Sequence, residues 1–167
     1  LADLAIAAGE QPILGLCPGA EYGEAKRWPA RHYAEVARHA MQQGQVVWWF
    51  GSKKDQGVTQ QINDACDGRC LDLAGRTTLD QAIDLMSMTE NVVTNDSGLM
   101  HVACALGRKT VALYGSSSPQ YTPPLSDQAT IVSLGLDCSP CFQRSCPLGH
   151  LDCLNKLLPE RVISELA

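Results

Sequence analysis

Asp96-Ser97-Gly98-x-x-His101 puts an acid, a hydroxyl, a glycine and an imidazole within six residues. Residue types of this kind can hold a phosphorylated ligand: the glycine lets a ligand approach the backbone, and free N–H groups at a helix start receive an anion. Taken singly, Asp96 and Ser97 read equally well as helix caps and His101 as a surface histidine. A second candidate is Lys26-Arg27, which stands just before a helix start. Positive charge is not needed there to offset the helix dipole, so it is available for phosphate, or else it is a solvated pair. Asp55, in the first turn of another expected helix, is either a carboxylate for sugar hydroxyls or an ordinary first-turn acid.

These residues need elements to position them. Asn91–Thr94 reads as a buried strand ending at Asn95-Asp96, Leu99, Val102, Ala103 and Leu106 share one face of a helix stopped by Gly107, and Thr110–Tyr114 reads as the next strand. Upstream, Ile13–Cys17 predicts the first strand and Pro29 opens a helix to about Gln43. Val46–Phe50 predicts a second strand and Lys53–Asp67 its helix. Cys70–Leu73 predicts a short third strand, and Thr77 or Thr78 caps a helix carrying Leu79, Ala82, Ile83 and Met86. Ala129–Leu134 is a last strand and Pro159 starts a terminal helix, while residues 1–11 read as a helix or linker fragment. Alternating strands and helices predict an α/β domain with a Rossmann-like, doubly wound parallel sheet. Lys26, Asp55 and Asp96 then all fall at the carboxyl edge of that sheet, where such folds bind ligands.

Composition narrows the partners. Thirteen Lys and Arg against 18 Asp and Glu leave a net charge of −5, which argues against nucleic acid as the main partner. No apolar run approaches a membrane span and no signal segment opens the chain, so a cytoplasmic location is expected. GxGxxG after the first strand, GxxxxGK[ST] and GxSxG are all missing, which removes support for a dinucleotide dehydrogenase, a P-loop NTPase or a serine hydrolase.

Four of the eight cysteines, Cys17, Cys66, Cys70 and Cys104, are scattered through strand and helix patterns, as buried thiols are. The others form Cys138-x2-Cys141-x4-Cys146-x6-Cys153 around His150. Four thiolates, or three with a histidine, are the ligands of a structural zinc ion; reduced thiols packed by Phe142 and Leu148 are the other reading.

The segments PGAEYGEAKRWP (18–29), FGSKKD (50–55), DLAGRTTL (72–79) and TNDSGLMHVACALGRKTVALYGSSSPQYTPPL (94–125) together resemble the lipopolysaccharide core heptosyltransferases over nearly the whole chain. The resemblance implies half of a GT-B glycosyltransferase, residues 1–167 being the carboxyl-terminal domain that binds ADP-heptose. The acceptor-binding amino-terminal domain, with its catalytic aspartate, would be missing from this chain. It implies transfer of heptose to the lipopolysaccharide inner core, with peripheral association at the inner membrane. Lys26 would contact the donor diphosphate; Asp96, Ser97, Gly98 and His101 would lie at the pyrophosphate and sugar; Asp55 at the ribose; and Ala74, Gly75 and Thr78 near the adenosine. Lys26 and His101 would support catalysis, with no cofactor required. Another nucleotide-sugar transferase or epimerase, or a non-catalytic nucleotide-sugar-binding module, is the alternative, since the fold alone does not read base or sugar.

Overall fold

A computed structural model describes residues 9–166, so the reading of residues 1–11 falls largely outside the described residues. The strands are β1 (Ile13–Cys17), β2 (Val46–Trp49), β3 (Leu71–Asp72), β4 (Asn91–Asn95), β5 (Lys109–Leu113) and β6 (Ala129–Val132). The helices are α1 (Ala30–Gln42), α2 (Gln56–Asp64), α3 (Leu79–Met86), α4 (Gly98–Ala105), α5 (Asp152–Asn155) and α6 (Pro159–Ile163). The six strands are parallel in the order β3-β2-β1-β4-β5-β6, as the doubly wound expectation required. The order reverses between β1 and β4, so a crevice must open where their carboxyl ends diverge.

Period-two alternation divides the core. Leu14, Leu16, Val47, Trp49, Val93 and Val111 face α1, α2 and α6, burying Tyr33, Val36, Ile62 and Val162 against them. Ile13, Cys17, Trp48, Phe50 and Val92 face the opposite way, against Ala82, Leu85 and Met86 of α3 and Ala103 of α4. Strands covered on both faces favour apolar side chains, which is why β1 and β2 read as unbroken apolar runs. Gly15 fits a tight spot: a Cβ there would stand 3.2 Å from the Thr89 side chain and 3.3 Å from that of Phe50, which would have to give way slightly.

Element boundaries differ from the sequence expectation in two informative places. The helix expected over 53–67 begins as a 3-10 turn, Lys53–Asp55, because Asp55 Oδ2 takes the N–H and hydroxyl of Ser52, each at 2.8 Å. Leu79 and Ile83, expected on the inner face of α3, give way to Leu85, which is fully buried, while Leu79 is 64% exposed.

Asn95, fully buried at the end of β4, ties three segments together. Its Oδ1 accepts the Trp28 N–H and the Tyr33 hydroxyl, each at 3.1 Å, and its Nδ2 donates to Pro18 C=O at 2.8 Å and Gly19 C=O at 3.3 Å. Replacing it with alanine would strand buried donors and acceptors, each costing about 1–3 kcal/mol. We expect Asn95→Ala to lower stability by about 3 kcal/mol in urea unfolding followed by circular dichroism. A loss below about 1 kcal/mol would show that the loops do not depend on this amide.

Candidate functional site

The crevice at the β1/β4 reversal is a cleft of about 500 Å³. Each wall comes from a strand exit: Gly19, Ala20 and Glu21 after β1; Gly51, Ser52 and Asp55 after β2; Thr77, Thr78 and Leu79 after β3; and Ser97 and Gly98 after β4. Ala82 of α3 with Leu99 and Val102 of α4 give it an apolar side. The volume suits a ligand of nucleotide size.

The β4 exit is built to receive an anion. Ser97 is the N-cap of α4 but makes no side-chain cap; its Oγ lies 3.4 Å from Thr94 Oγ1 instead. The first N–H groups of α4 are therefore left for another acceptor, at the positive end of the helix dipole. A Cβ on Gly98 would meet nothing within 4 Å, so the glycine keeps the mouth of this helix open rather than relieving a clash. The expected side-chain cap by Asp96 or Ser97 is thus not made, because the Ser97 hydroxyl turns to Thr94 and the Asp96 carboxylate is taken by Lys26 and Thr122.

Asp96 and Lys26 depart further from expectation. Asp96 is buried, 4% exposed, not an exposed acid, and its Oδ2 lies 2.6 Å from Lys26 Nζ. Thr122 Oγ1 donates to the same oxygen at 3.1 Å, and the Tyr114 hydroxyl in turn donates to Thr122 C=O, pinning the loop after β5 onto the β4 exit. Burial, and then the nearby Asp96 carboxylate, push the Tyr114 phenol up, so it remains a donor. Lys26 belongs to a 3-10 turn, Glu24–Lys26, and its ammonium also stands 5.1 Å above the Tyr22 ring. The charge read as available is therefore committed to a carboxylate, which holds its direction; an ammonium has three N–H donors, and Asp96 takes one.

The remaining candidates separate into cleft and support. Asp55 and Thr78 line the cleft with Ser97 and Gly98. Asp55 takes the first-turn reading: its Oδ2 caps the 3-10 turn, and its carboxyl group packs so closely under Gly19 that a Cβ on the glycine would stand 2.4 Å from Oδ1. Thr78 caps α3 through Gln81 in a reciprocal capping box. Ala74 and Gly75 lie outside the cleft lining and act as scaffold. Gly75 N–H donates to Gly51 C=O at 3.0 Å, Ala74 C=O accepts Gln56 Nε2 at 3.0 Å, and Gly75 has φ +66° with no room for a Cβ against Lys53. His101 is exposed on α4 and also outside the cleft lining. Cys17, at the β1 exit, is pushed up to about 12, chiefly by burial, so its thiol stays protonated and is no nucleophile.

Sequence reading missed the apolar side. Leu79, Leu99 and Val102 carry a helical period, and period alone assigns them to the core; only their position in the first two turns of α3 and α4 marks them as cleft residues. The four clustered cysteines are brought around a second, much smaller cavity with His150.

A parallel 3-2-1-4-5-6 sheet with an anion-receiving cleft at its reversal defines a Rossmann-like domain of the kind found in two-domain glycosyltransferases. The chain belongs to glycosyltransferase family 9 (heptosyltransferase), whose family model matches residues 2–152. It is 55% identical over 130 residues to lipooligosaccharide heptosyltransferase 2 of Haemophilus influenzae, covering 75% of this chain and 38% of that protein. Lipopolysaccharide heptosyltransferase 2 of Escherichia coli is 45% identical over 163 residues, 95% of this chain and 47% of the relative. The solved structure of E. coli ADP-heptose LPS heptosyltransferase II matches with a TM-score of 0.86 at 44% identity, over 99% of this chain and 48% of that one. The chain spans under half the length of these relatives.

Truncating a solvated loop lysine costs within about 0.5 kcal/mol. Leaving Asp96 buried with only Thr122 changes that expectation: Lys26→Ala should lose roughly 2 kcal/mol, and Lys26→Met with Asp96→Asn should recover part of it. Urea unfolding of the single and double variants checks this; a single-variant loss within about 0.5 kcal/mol would leave the ion pair without a structural part.

Proposed function

We propose that this chain is the donor-binding half of an inverting heptosyltransferase that moves L-glycero-D-manno-heptose from ADP-heptose to the lipopolysaccharide inner core. The observation that carries the reading is the uncapped start of α4 opening into a nucleotide-sized cleft, with Lys26, itself outside the cleft lining, paired to Asp96 two residues before that start. Membership of the heptosyltransferase family and 45–55% identity to two heptosyltransferases 2 select this chemistry over an epimerase or a non-catalytic module.

In this reading the donor diphosphate sits on the Gly98 and Leu99 amides with the free N–H groups of Lys26 turned toward it. The apolar side formed by Leu79, Leu99 and Val102 takes the flat face of the base, and Asp55 accepts from ribose hydroxyls. Ala74 and Gly75 hold the neighbouring loop in place behind Thr78. His101, one turn along α4 at the open rim, reaches the sugar or the leaving diphosphate.

Transfer breaks the bond between the heptose anomeric carbon and the β-phosphate oxygen, whose electron pair stays with ADP. The acceptor hydroxyl bonds to the opposite face of that carbon and gives up its proton. Charge accumulates on the β-phosphate, where the α4 amides and Lys26 stabilise it; one such donor is worth roughly 10²–10³ in rate. The two acids lining the cleft are otherwise engaged, Glu21 with Lys54 and Asp55 with Ser52, so the proton acceptor is supplied from the acceptor side, by a further domain. The acceptor lipid would bring that side to the cytoplasmic face of the inner membrane. Among the described residues no helix is long and apolar enough to cross a membrane.

Calorimetric titration of the chain with ADP, UDP and GDP tests the donor reading: ADP is expected to bind and the other two to bind at least tenfold more weakly, about 1.4 kcal/mol. Equal affinity for UDP would overturn it. Gly98→Val, whose side chain enters open space, should weaken ADP by about tenfold or more while leaving the unfolding midpoint in place. The chain alone should transfer no heptose; robust transfer would place the proton acceptor within it.

A further inference from the structure

Residues 133–151 form no helix or strand, yet they are fastened to the carboxyl edge of the sheet. Phe142 N–H donates to Ser116 C=O at 2.7 Å, Ala25 N–H donates to Arg144 C=O at 3.0 Å, and the Tyr22 hydroxyl donates to Phe142 C=O at 2.8 Å. The Ser139 hydroxyl donates to Gly115 C=O. Leu134, Leu136 and Leu151 pack against the core at the two ends of the segment, but between them apolar burial contributes little, because Phe142 and Leu148 are 45% and 60% exposed. Beneath it lies a cavity of about 20 Å³ with Cys138, Cys141, Cys146 and Cys153 in its walls. That is room for one water molecule or one ion.

We propose that this cavity is a structural site for a single zinc ion held by Cys138, Cys141, Cys146 and Cys153. Four sulfur donors select a tetrahedral thiophilic cation, and the Cys-x2-Cys turn at 138–141 joined to two later cysteines supplies them from one loop and one helix. Cys146 is already prepared as a ligand: the Leu151 N–H donates to its Sγ at 3.4 Å, the bond that orients a thiolate toward a metal. Ser116 also lines the cavity, and its buried hydroxyl has no hydrogen-bond partner among the described residues, so a thiolate there would satisfy it. His150 is passed over because its Nδ1 accepts the Asp152 N–H at 3.0 Å.

Among the described residues no three His, Cys, Asp or Glu side chains already stand as a closed ligand set. Ion binding therefore draws the sulfurs inward. Cys138 is exposed and Cys141 and Cys146 are half-exposed, so their side chains turn at little cost, whereas Cys153 is buried on α5 and fixes the centre. Each thiol that forms an S–Zn bond releases its proton to solvent, up to four per ion, and no electron changes hands.

The ion would couple the loop to the cleft without touching a donor. Arg144 C=O holds Ala25 beside Lys26, and a Cβ on Gly23 would stand 2.4 Å from that same carbonyl oxygen, so the loop and the lysine turn are packed backbone to backbone. Zinc then stabilises the turn that presents Lys26.

The test is metal content of the reduced chain purified without a metal-affinity tag, with cobalt titration of the chelator-stripped, refolded chain. About one zinc per chain, one cobalt taken up with the sulfur-to-cobalt charge-transfer band of a tetrahedral thiolate site, and at least tenfold faster hydrogen exchange at the Ala25 and Phe142 amides after stripping are expected. Cys141→Ser should lose the zinc. Less than a tenth of an equivalent of zinc together with no charge-transfer band at micromolar cobalt, in chain that retains its native circular dichroism, overturns the site. These readouts use no nucleotide, so they stand or fall apart from the donor reading.

Discussion

The Asn95 amide is the joint on which the ligand edge depends. A parallel sheet delivers its strands' carboxyl ends to one edge but leaves the connecting loops free, and loops cannot bury their polar backbone without partners. Asn95 provides those partners from the interior outward: its carbonyl oxygen accepts from the Trp28 amide and the Tyr33 hydroxyl, and its amide nitrogen donates to the carbonyls of Pro18 and Gly19. One buried side chain on β4 thus sets where the loop after β1 leaves the sheet and where α1 begins. Trp28 extends the clamp to the far end of the chain by donating its indole N–H to Leu157 C=O at 2.7 Å.

With that loop anchored, charge can be placed in it. Lys26 and Asp96 come from different strand exits, 70 residues apart, and meet at 2.6 Å where solvent is largely excluded. Such a pair contributes little net stability against an apolar alternative, because both ions lose hydration, but it defines one geometry sharply. Here the geometry is an ammonium with N–H groups to spare, tied to the acid that stands two residues before an uncapped helix start. The fold builds this cluster of positive charge from two loops that the sheet alone would not have aligned.

Support extends outward in layers. Thr122 and Tyr114 hold the loop after β5 against Asp96, Gly75 and Gln56 hold the β3 exit against the β2 exit, and the cysteine segment lies against the Ala25 turn through Arg144. Each contact is a backbone or short side-chain hydrogen bond rather than a large apolar surface. The apolar core lies behind them, on both faces of the sheet.

The sequence by itself determined the six parallel strands, the helices between them and the edge at which Asp55, Ser97 and Gly98 collect, because apolar runs, alternation and Gly or Pro stops are local signals that survive without neighbours. The family was legible too, since its motifs are contiguous. What only the tertiary structure decided were relations across the chain. Asp96 became a buried partner of Lys26, Leu79, Leu99 and Val102 became cleft wall, Ala74 and Gly75 became scaffold, and His101 stayed exposed outside the cleft lining. Neither hydrophobic period nor residue type distinguishes a leucine facing the core from one facing a cleft, or a free ammonium from a paired one. Those outcomes depend on which strand exits meet, and the crossing of β1 past β4 settles that in space rather than along the chain.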